Sequence, residues 1–180
     1  MPAIRPPRPR RPGRPHRPSR PRRGSATGSA RVVVLGDLVV DVVVAPSEPI
    51  AIGTDVTGAI ALVQGGSAAT TARWLARLGV RSSMIAAVGR DATGRALVKT
   101  MESDRVAMRA VRIPGARTGR IGVVVSPGGE RSFVTDRGAA LRLGPADLKA
   151  DWFAGTDLLH LTVYSLLGDP LADSGLRAIE

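Results

Sequence analysis

From Arg31 onward the chain alternates apolar runs with polar turns, and the period of each run identifies an element. Arg31–Leu35 is a β-branched run closed by Gly36, the pattern of a strand covered on both faces. Val39–Val44 continues as a second extended piece, interrupted by Asp41 and closed by Pro46 and Pro49. Ile50–Val63 mixes Thr, Val, Ile and Gly with little helical period, which predicts short exposed strands forming a flap. After Gln64-Gly65-Gly66-Ser67, the residues Ala68, Ala72, Leu75 and Leu78/Gly79 recur at helical spacing, with Gly79 as the stop and Arg73 and Arg77 on another face.

The alternation then repeats. Arg81–Val88 reads as a buried strand, Asp91 is placed to cap a helix running to about Asp104, and Leu97, Val98 and Met101 form its inner face. Val106–Ile113 is a further strand. Thr118–Ser126 and Arg131–Thr135 flank Pro127-Gly128-Gly129-Glu130, a turn between two β-rich runs that predicts a hairpin. Leu158–Val163 is another buried strand, and Asp169–Glu180 opens a helix. Strand and helix in alternation imply an α/β fold with a mostly parallel sheet, decorated by a β flap.

Composition changes this picture at one end only. The 180 residues carry 26 Lys plus Arg against 15 Asp plus Glu, a formal net charge of +11. Residues 1–30 hold nine Arg, eight Pro and no acid, so removing them leaves 17 basic against 15 acidic residues, a net of +2. The basicity therefore belongs to a Pro/Arg-rich tail, residues 1–30, with too little apolar surface to offset the entropy of ordering, and expected to be disordered. Nucleic acid is not expected as a partner of the nearly neutral body. Without cysteine there is no disulfide framework and no thiolate metal site. No apolar run approaches the ~20 residues of a transmembrane helix, and the first 30 residues lack the apolar stretch of a secretory signal. A cytoplasmic location is the expectation.

Candidate chemistry clusters near the first two strands. Asp37 and Asp41 follow the first strand, where open α/β sheets bind ligands, and a carboxylate there is a natural acceptor for the vicinal hydroxyls of a sugar; Asp41 is the sharper candidate. Gly65 and Gly66 open a helix, so backbone amides can approach a hydroxyl or an anion closely. Asp136-Arg137-Gly138 follows the hairpin and can turn toward the same place. Asp91 and Gly94 read as a helix cap and a tight contact, and His160, inside an apolar strand, carries no assigned role.

Five segments in order carry a resemblance: GDLVVD at Gly36–Asp41, QGGSAATTARWLARLG at Gln64–Gly79, VGRDATG at Val88–Gly94, TGRIGVVVSPGGERSFVTDRGA at Thr118–Ala139, and LLHLTVYSLL at Leu158–Leu167. Together residues 31–180 resemble the N-terminal half of the ribokinase/PfkB family of carbohydrate kinases. The resemblance implies a ribokinase-like three-layer αβα fold with a mostly parallel sheet, a small β-strand lid and a missing C-terminal half. It implies that Asp41, Gly65, Gly66, Thr70 and Arg137 face the substrate, a sugar or nucleoside, and that the lid closes over it. The family's reaction moves the γ-phosphoryl of ATP, with Mg²⁺, to a hydroxyl. Thr70 stands where most members have Asn, a shorter side chain with fewer donors, and many members place a Gly or an acidic residue near Val163, for which a valine cannot substitute.

The family's Asp-Thr-x-Gly-Ala-Gly-Asp run, which supplies its anion hole and general base, is absent from these residues. No catalytic residue and no metal ligand is therefore assigned, and the chain is expected to be inactive by itself. Two further readings stand beside this one: a non-catalytic sugar-binding or interaction remnant, with the lid strands able to pair into a homodimer, and a fragment or frameshifted reading frame.

Overall fold

A computed structural model describes residues 29–180, so the expected disordered tail lies, for residues 1–28, outside the described residues. In chain order the strands and helices are β1 (Arg31–Leu35), β2 (Val39–Pro46), β3 (Gly58–Gly65), α1 (Ser67–Arg77), β4 (Arg81–Gly89), α2 (Ala92–Ser103), β5 (Ala107–Ile113), β6 (Thr118–Val125), β7 (Arg131–Gly138), β8 (Leu158–Leu161) and α3 (Leu171–Arg177). They form two four-stranded sheets. The first is wholly parallel in the order β5-β4-β1-β8. The second, in the order β3-β2-β6-β7, pairs β2 with β6 in parallel and is antiparallel at both edges.

The parallel sheet is apolar on both faces, as its β-branched sequence requires. Val32 and Val34 of β1 join Met84, Ala86 and Val88 of β4 beneath Ala68, Ala69 and Ala72 of α1 and Leu97, Val98 and Met101 of α2. The alternate residues Val33, Leu35, Ile85 and Ala87 pack on the opposite face with Leu143 and with Leu171 of α3. Helices thus lie on both sides of the sheet in three layers. Each of the largest fully buried side chains contributes about 2 kcal/mol through removal from water.

The second sheet is the lid. Its predicted flap strands at 50–63 condense into the single strand β3, which begins only at Gly58 and runs on through Gln64 and Gly65, because cross-strand pairing with β2 extends to Val39↔Gly65. The predicted hairpin is present as β6 and β7. Two predicted bounds shorten. The strand expected to reach Val163 stops at Leu161, since Val163–Leu166 turns as a 3₁₀ helix. The last helix covers Leu171–Arg177 rather than 169–180.

Asp91 ties the two sheets together. It caps α2 by accepting from the Gly94 N–H at 2.8 Å, and it accepts from the Thr118 N–H at 2.8 Å and the Thr118 hydroxyl at 2.6 Å. The same hydroxyl accepts from the Gly89 N–H at 3.0 Å, so the end of β4, the start of α2 and the start of β6 share one polar knot. Burial acts to raise the Asp91 carboxyl, yet the hydrogen bonds from Thr118 and Gly94 and the charge of Arg120 hold it below the ordinary carboxylate value. A depressed folded-state value stabilises the fold above the unfolded pKa, and that stabilisation is lost as pH falls through the folded one. Asp91→Ala is expected to cost about 2 kcal/mol at neutral pH, read from urea unfolding, with the difference from the parent shrinking in acid.

Candidate functional site

Where β1 ends, the chain turns through Asp37 and climbs into the lid, so the C-terminal end of the parallel sheet and the inner face of the lid enclose one cavity of about 280 Å³. Asp37, Asp41, Gly66 and Ser67 line its floor; Ile121, Phe133 and Thr135 of the lid and the turn residue Tyr164 form its walls, with Arg137 at the join. Register explains the lid's contribution. Asp41 pairs with Ile121 and Ile121 with Thr135, a single row across β2, β6 and β7. Phe133 and Tyr164 are more than half exposed, so the cavity has aromatic walls and an open mouth.

The Asp41 carboxylate carries the buried polar atom of this cavity that has no partner. Its Oδ1 is buried and makes no hydrogen bond. Burial pushes the carboxyl above its ordinary value. The position is made possible by Gly65, where a Cβ would overlap Oδ1 of Asp41. Gly66 is required for a second reason: its φ of 98° is a left-handed conformation, and a Cβ there would run into the backbone carbonyl of Asp37. As the N-cap of α1, Gly66 makes no side-chain cap hydrogen bond, which leaves first-turn N–H groups of α1 without intrahelical partners beside the cavity.

Arg137 is present at the site, but four of its five N–H donors are engaged. Its Nε donates to Asp37 Oδ2 at 3.0 Å and its Nη2 to Oδ1 at 2.8 Å, a bidentate pair in which the two side chains are only 12% and 9% exposed. Nη2 also donates to the Tyr164 carbonyl at 2.8 Å and Nη1 to the Leu167 carbonyl at 2.9 Å. The guanidinium therefore clamps the end of β7, the end of β1 and the turn after β8, and holds the cavity wall in place. Ser165 secures that turn from the other side by donating to the Leu35 carbonyl at 3.0 Å. Neither partner of Arg137 could be read from the sequence, because 100 residues separate it from Asp37.

Thr70 is not brought to the cavity; it is exposed on α1, and its N–H bonds to the Gly66 carbonyl at 2.9 Å. The sequence reading also missed Ser67, Phe133 and Tyr164. Of these only Tyr164 carried a signal, as the single tyrosine of the chain, beside the last strand. A larger space of about 610 Å³ lies between the opposite face of the lid and α2, lined mainly by aliphatic groups such as Val40, Val42 and Leu62 together with the exposed Arg120, and none of its buried polar atoms lacks a partner.

A three-layer α/β domain with a β lid over an acidic, glycine-floored cavity is the architecture of a carbohydrate kinase. Residues 29–180 match the profile of the pfkB family carbohydrate kinases, and the chain belongs to that family. It is 32% identical over 155 residues to a fructokinase of Klebsiella pneumoniae, covering 84% of this chain and 47% of that protein. A fructokinase of Solanum tuberosum is 28% identical over 162 residues, with 87% and 49% covered. Among solved structures, the fructokinase of Halothermothrix orenii superposes with a TM-score of 0.71 at 24% identity, covering 83% of this chain and 52% of that one. An uncharacterised sugar kinase from Pyrococcus horikoshii in complex with ATP gives 0.72 at 25% identity, with 82% and 48% covered. The chain spans about half the length of the curated relatives it matches.

Removing Arg137 strands a buried carboxylate, so Arg137→Ala is expected to cost about 3 kcal/mol. A double-mutant cycle with Asp37→Asn, read by chemical unfolding, is expected to give a coupling energy above about 1.5 kcal/mol; additive losses would show that the two side chains act independently.

Proposed function

We propose that these residues form the acceptor side of a sugar kinase, in which the Asp41 carboxylate receives hydrogen bonds from the hydroxyls of a sugar lying against Gly65 and Gly66. The buried, unpartnered Oδ1 of Asp41 is the observation that carries this reading. An acceptor held out of water without a donor favours a ligand that brings one, and a vicinal diol brings two. Fructose is the first candidate, because the fructokinases among its relatives are named for that sugar. The lid residues Ile121, Phe133 and Thr135 cover the bound sugar and exclude water, while Arg137 positions the wall without touching the ligand through its engaged donors.

The phosphoryl donor implied by the family is ATP with Mg²⁺. The residues around the Asp41 cavity do not fit either group: no three metal-ligating side chains cluster among the described residues, both oxygens of Asp37 are taken by Arg137, and that arginine is itself committed to the pair. No catalytic base is therefore assigned, and the 180-residue chain binds sugar without phosphorylating it. No helix of the described residues is long and apolar enough to cross a membrane, and a cytoplasmic protein remains the proposal.

Calorimetric titration with fructose is expected to show one-site binding that Asp41→Asn weakens by at least about tenfold, since a charge-assisted acceptor is replaced by a neutral one. Binding is also expected to fall as the raised Asp41 carboxyl takes up its proton, at a higher pH than an ordinary aspartate would. Equal affinity in parent and variant, or phosphorylation of a sugar by the purified chain, would refute the respective parts of the reading. We also propose a homodimer through the lid, because Ile60, Leu62 and Val134 expose apolar surface on its strands. Light scattering is expected to give a dimer mass that Leu62→Lys returns to that of a monomer.

A further inference from the structure

Four arginines converge at the end of the parallel sheet opposite the Asp41 cavity. Arg31 opens β1, Arg81 opens β4, Arg105 lies in the turn after α2, and Arg109 lies near the start of β5. With Trp152 and Thr156 they line a cavity of about 520 Å³, within the size range of small-molecule sites. No acidic residue lines it, and none of the four guanidinium groups is ion-paired among the described residues. Of the neighbouring acids, Asp104 pairs with Arg73 and Arg77, while Asp157, next to Thr156, accepts the Arg31 backbone N–H at 2.7 Å without pairing with a guanidinium.

Several of these side chains are held in place by local structure. Arg81 donates from Nε to the Ser29 carbonyl at 2.7 Å. Arg31 lies across the turn at Gly155, where a Cβ would come within 2.6 Å of its Nη1. Arg105 has φ of 65°, the one positive value at a non-glycine among the described residues, at a helix end where glycine adopts that conformation without strain. All four arginines are solvent-exposed, and four like charges around one concavity focus a positive potential that attracts an anion.

We propose that this cavity binds a small molecule carrying two or more linked phosphates, with the guanidinium groups on the phosphate oxygens and Trp152 as the apolar wall. Planar guanidinium donors match phosphate oxygens in bidentate fashion. The site is separate from the sugar cavity: Arg31 and Asp37 stand at opposite ends of β1, roughly 20 Å apart along an extended chain. It therefore cannot present a phosphoryl group to a sugar at Asp41, and its ligand is a bound effector rather than the phosphoryl donor. A bounded concavity with one aromatic residue suits a small polyphosphate better than a nucleic-acid strand, which needs a basic track with successive stacking platforms.

The test is calorimetric titration of the full 180-residue chain with inorganic tripolyphosphate, with ATP, and with a single-stranded oligonucleotide. Saturable one-site binding of tripolyphosphate and ATP is expected, weakened at least about tenfold by Arg109→Ala and by Arg105→Gly. Arg105→Gly is also expected to keep or raise the thermal midpoint, because glycine relieves the backbone strain; a merely structural arginine would lower it. Unchanged affinity in the Arg105→Gly/Arg109→Ala double variant would assign the anion to the arginines of residues 1–28 and overturn the proposal. So would an oligonucleotide that binds more tightly than tripolyphosphate and loses that affinity in the double variant.

Discussion

The bidentate pair between Asp37 and Arg137 is the contact on which the arrangement of the site depends. It joins the first strand of the parallel sheet to the last strand of the lid, and through the Tyr164 and Leu167 carbonyls it also fixes the turn after β8. Two charges this far out of water cost much to desolvate and are tolerable only when every strong donor and acceptor is matched. Here both carboxylate oxygens and most of the guanidinium donors are matched. The lid can therefore be a thin, largely exposed sheet and still present Ile121, Phe133 and Thr135 at a defined distance from the cavity floor.

Beside this satisfied aspartate stands an unsatisfied one. Asp37 and Asp41 are four residues apart on adjoining segments, yet the first has its oxygens filled by protein and the second has Oδ1 buried against Gly65 with no hydrogen-bond partner. Gly65 leaves the room that the carboxylate occupies, and Gly66 brings the start of α1 against the Asp37 backbone. The two environments differ: one carboxylate is matched by Arg137 and builds the wall, and the other keeps a buried oxygen without a protein partner, the group proposed above to receive sugar hydroxyls. The same parallel sheet places at its other end a cluster of arginines that form no ion pair among the described residues, so acidic and basic concavities sit at opposite ends of the strands.

Local patterns in the sequence were enough for the elements that local physics dictates. The β-branched run Arg31–Leu35, the cap at Asp91, the inward face of α2 and the hairpin turn at Pro127–Glu130 all depend on neighbours within a few residues. Gly65, Gly66 and Asp41 were legible as a group because the helix start and the strand interruption are unusual in their surroundings. Arg137 was legible as a site residue but not as a clamp, since its role is set by carbonyls and a carboxylate from distant segments. Thr70 shows the converse limit: helical spacing places it one turn into α1, but only the three-dimensional path of the lid decides which residues of that turn the cavity includes. The start of β3 at Gly58 and the convergence of Arg31, Arg81, Arg105 and Arg109 likewise arise from pairing between strands, which has no local signature.

The central claim is that Asp41 is a desolvated acceptor awaiting sugar hydroxyls. A carbon-detected NMR titration of the Asp41 side-chain carboxyl, with and without saturating fructose, addresses it most directly. The account predicts a carboxyl titrating above the ordinary aspartate value in the free chain and shifting downward when the sugar is bound, because hydroxyl donors stabilise the charged form. A titration curve unmoved by fructose, or an Asp41 carboxyl that already titrates at or below the ordinary value in the free chain, would contradict it.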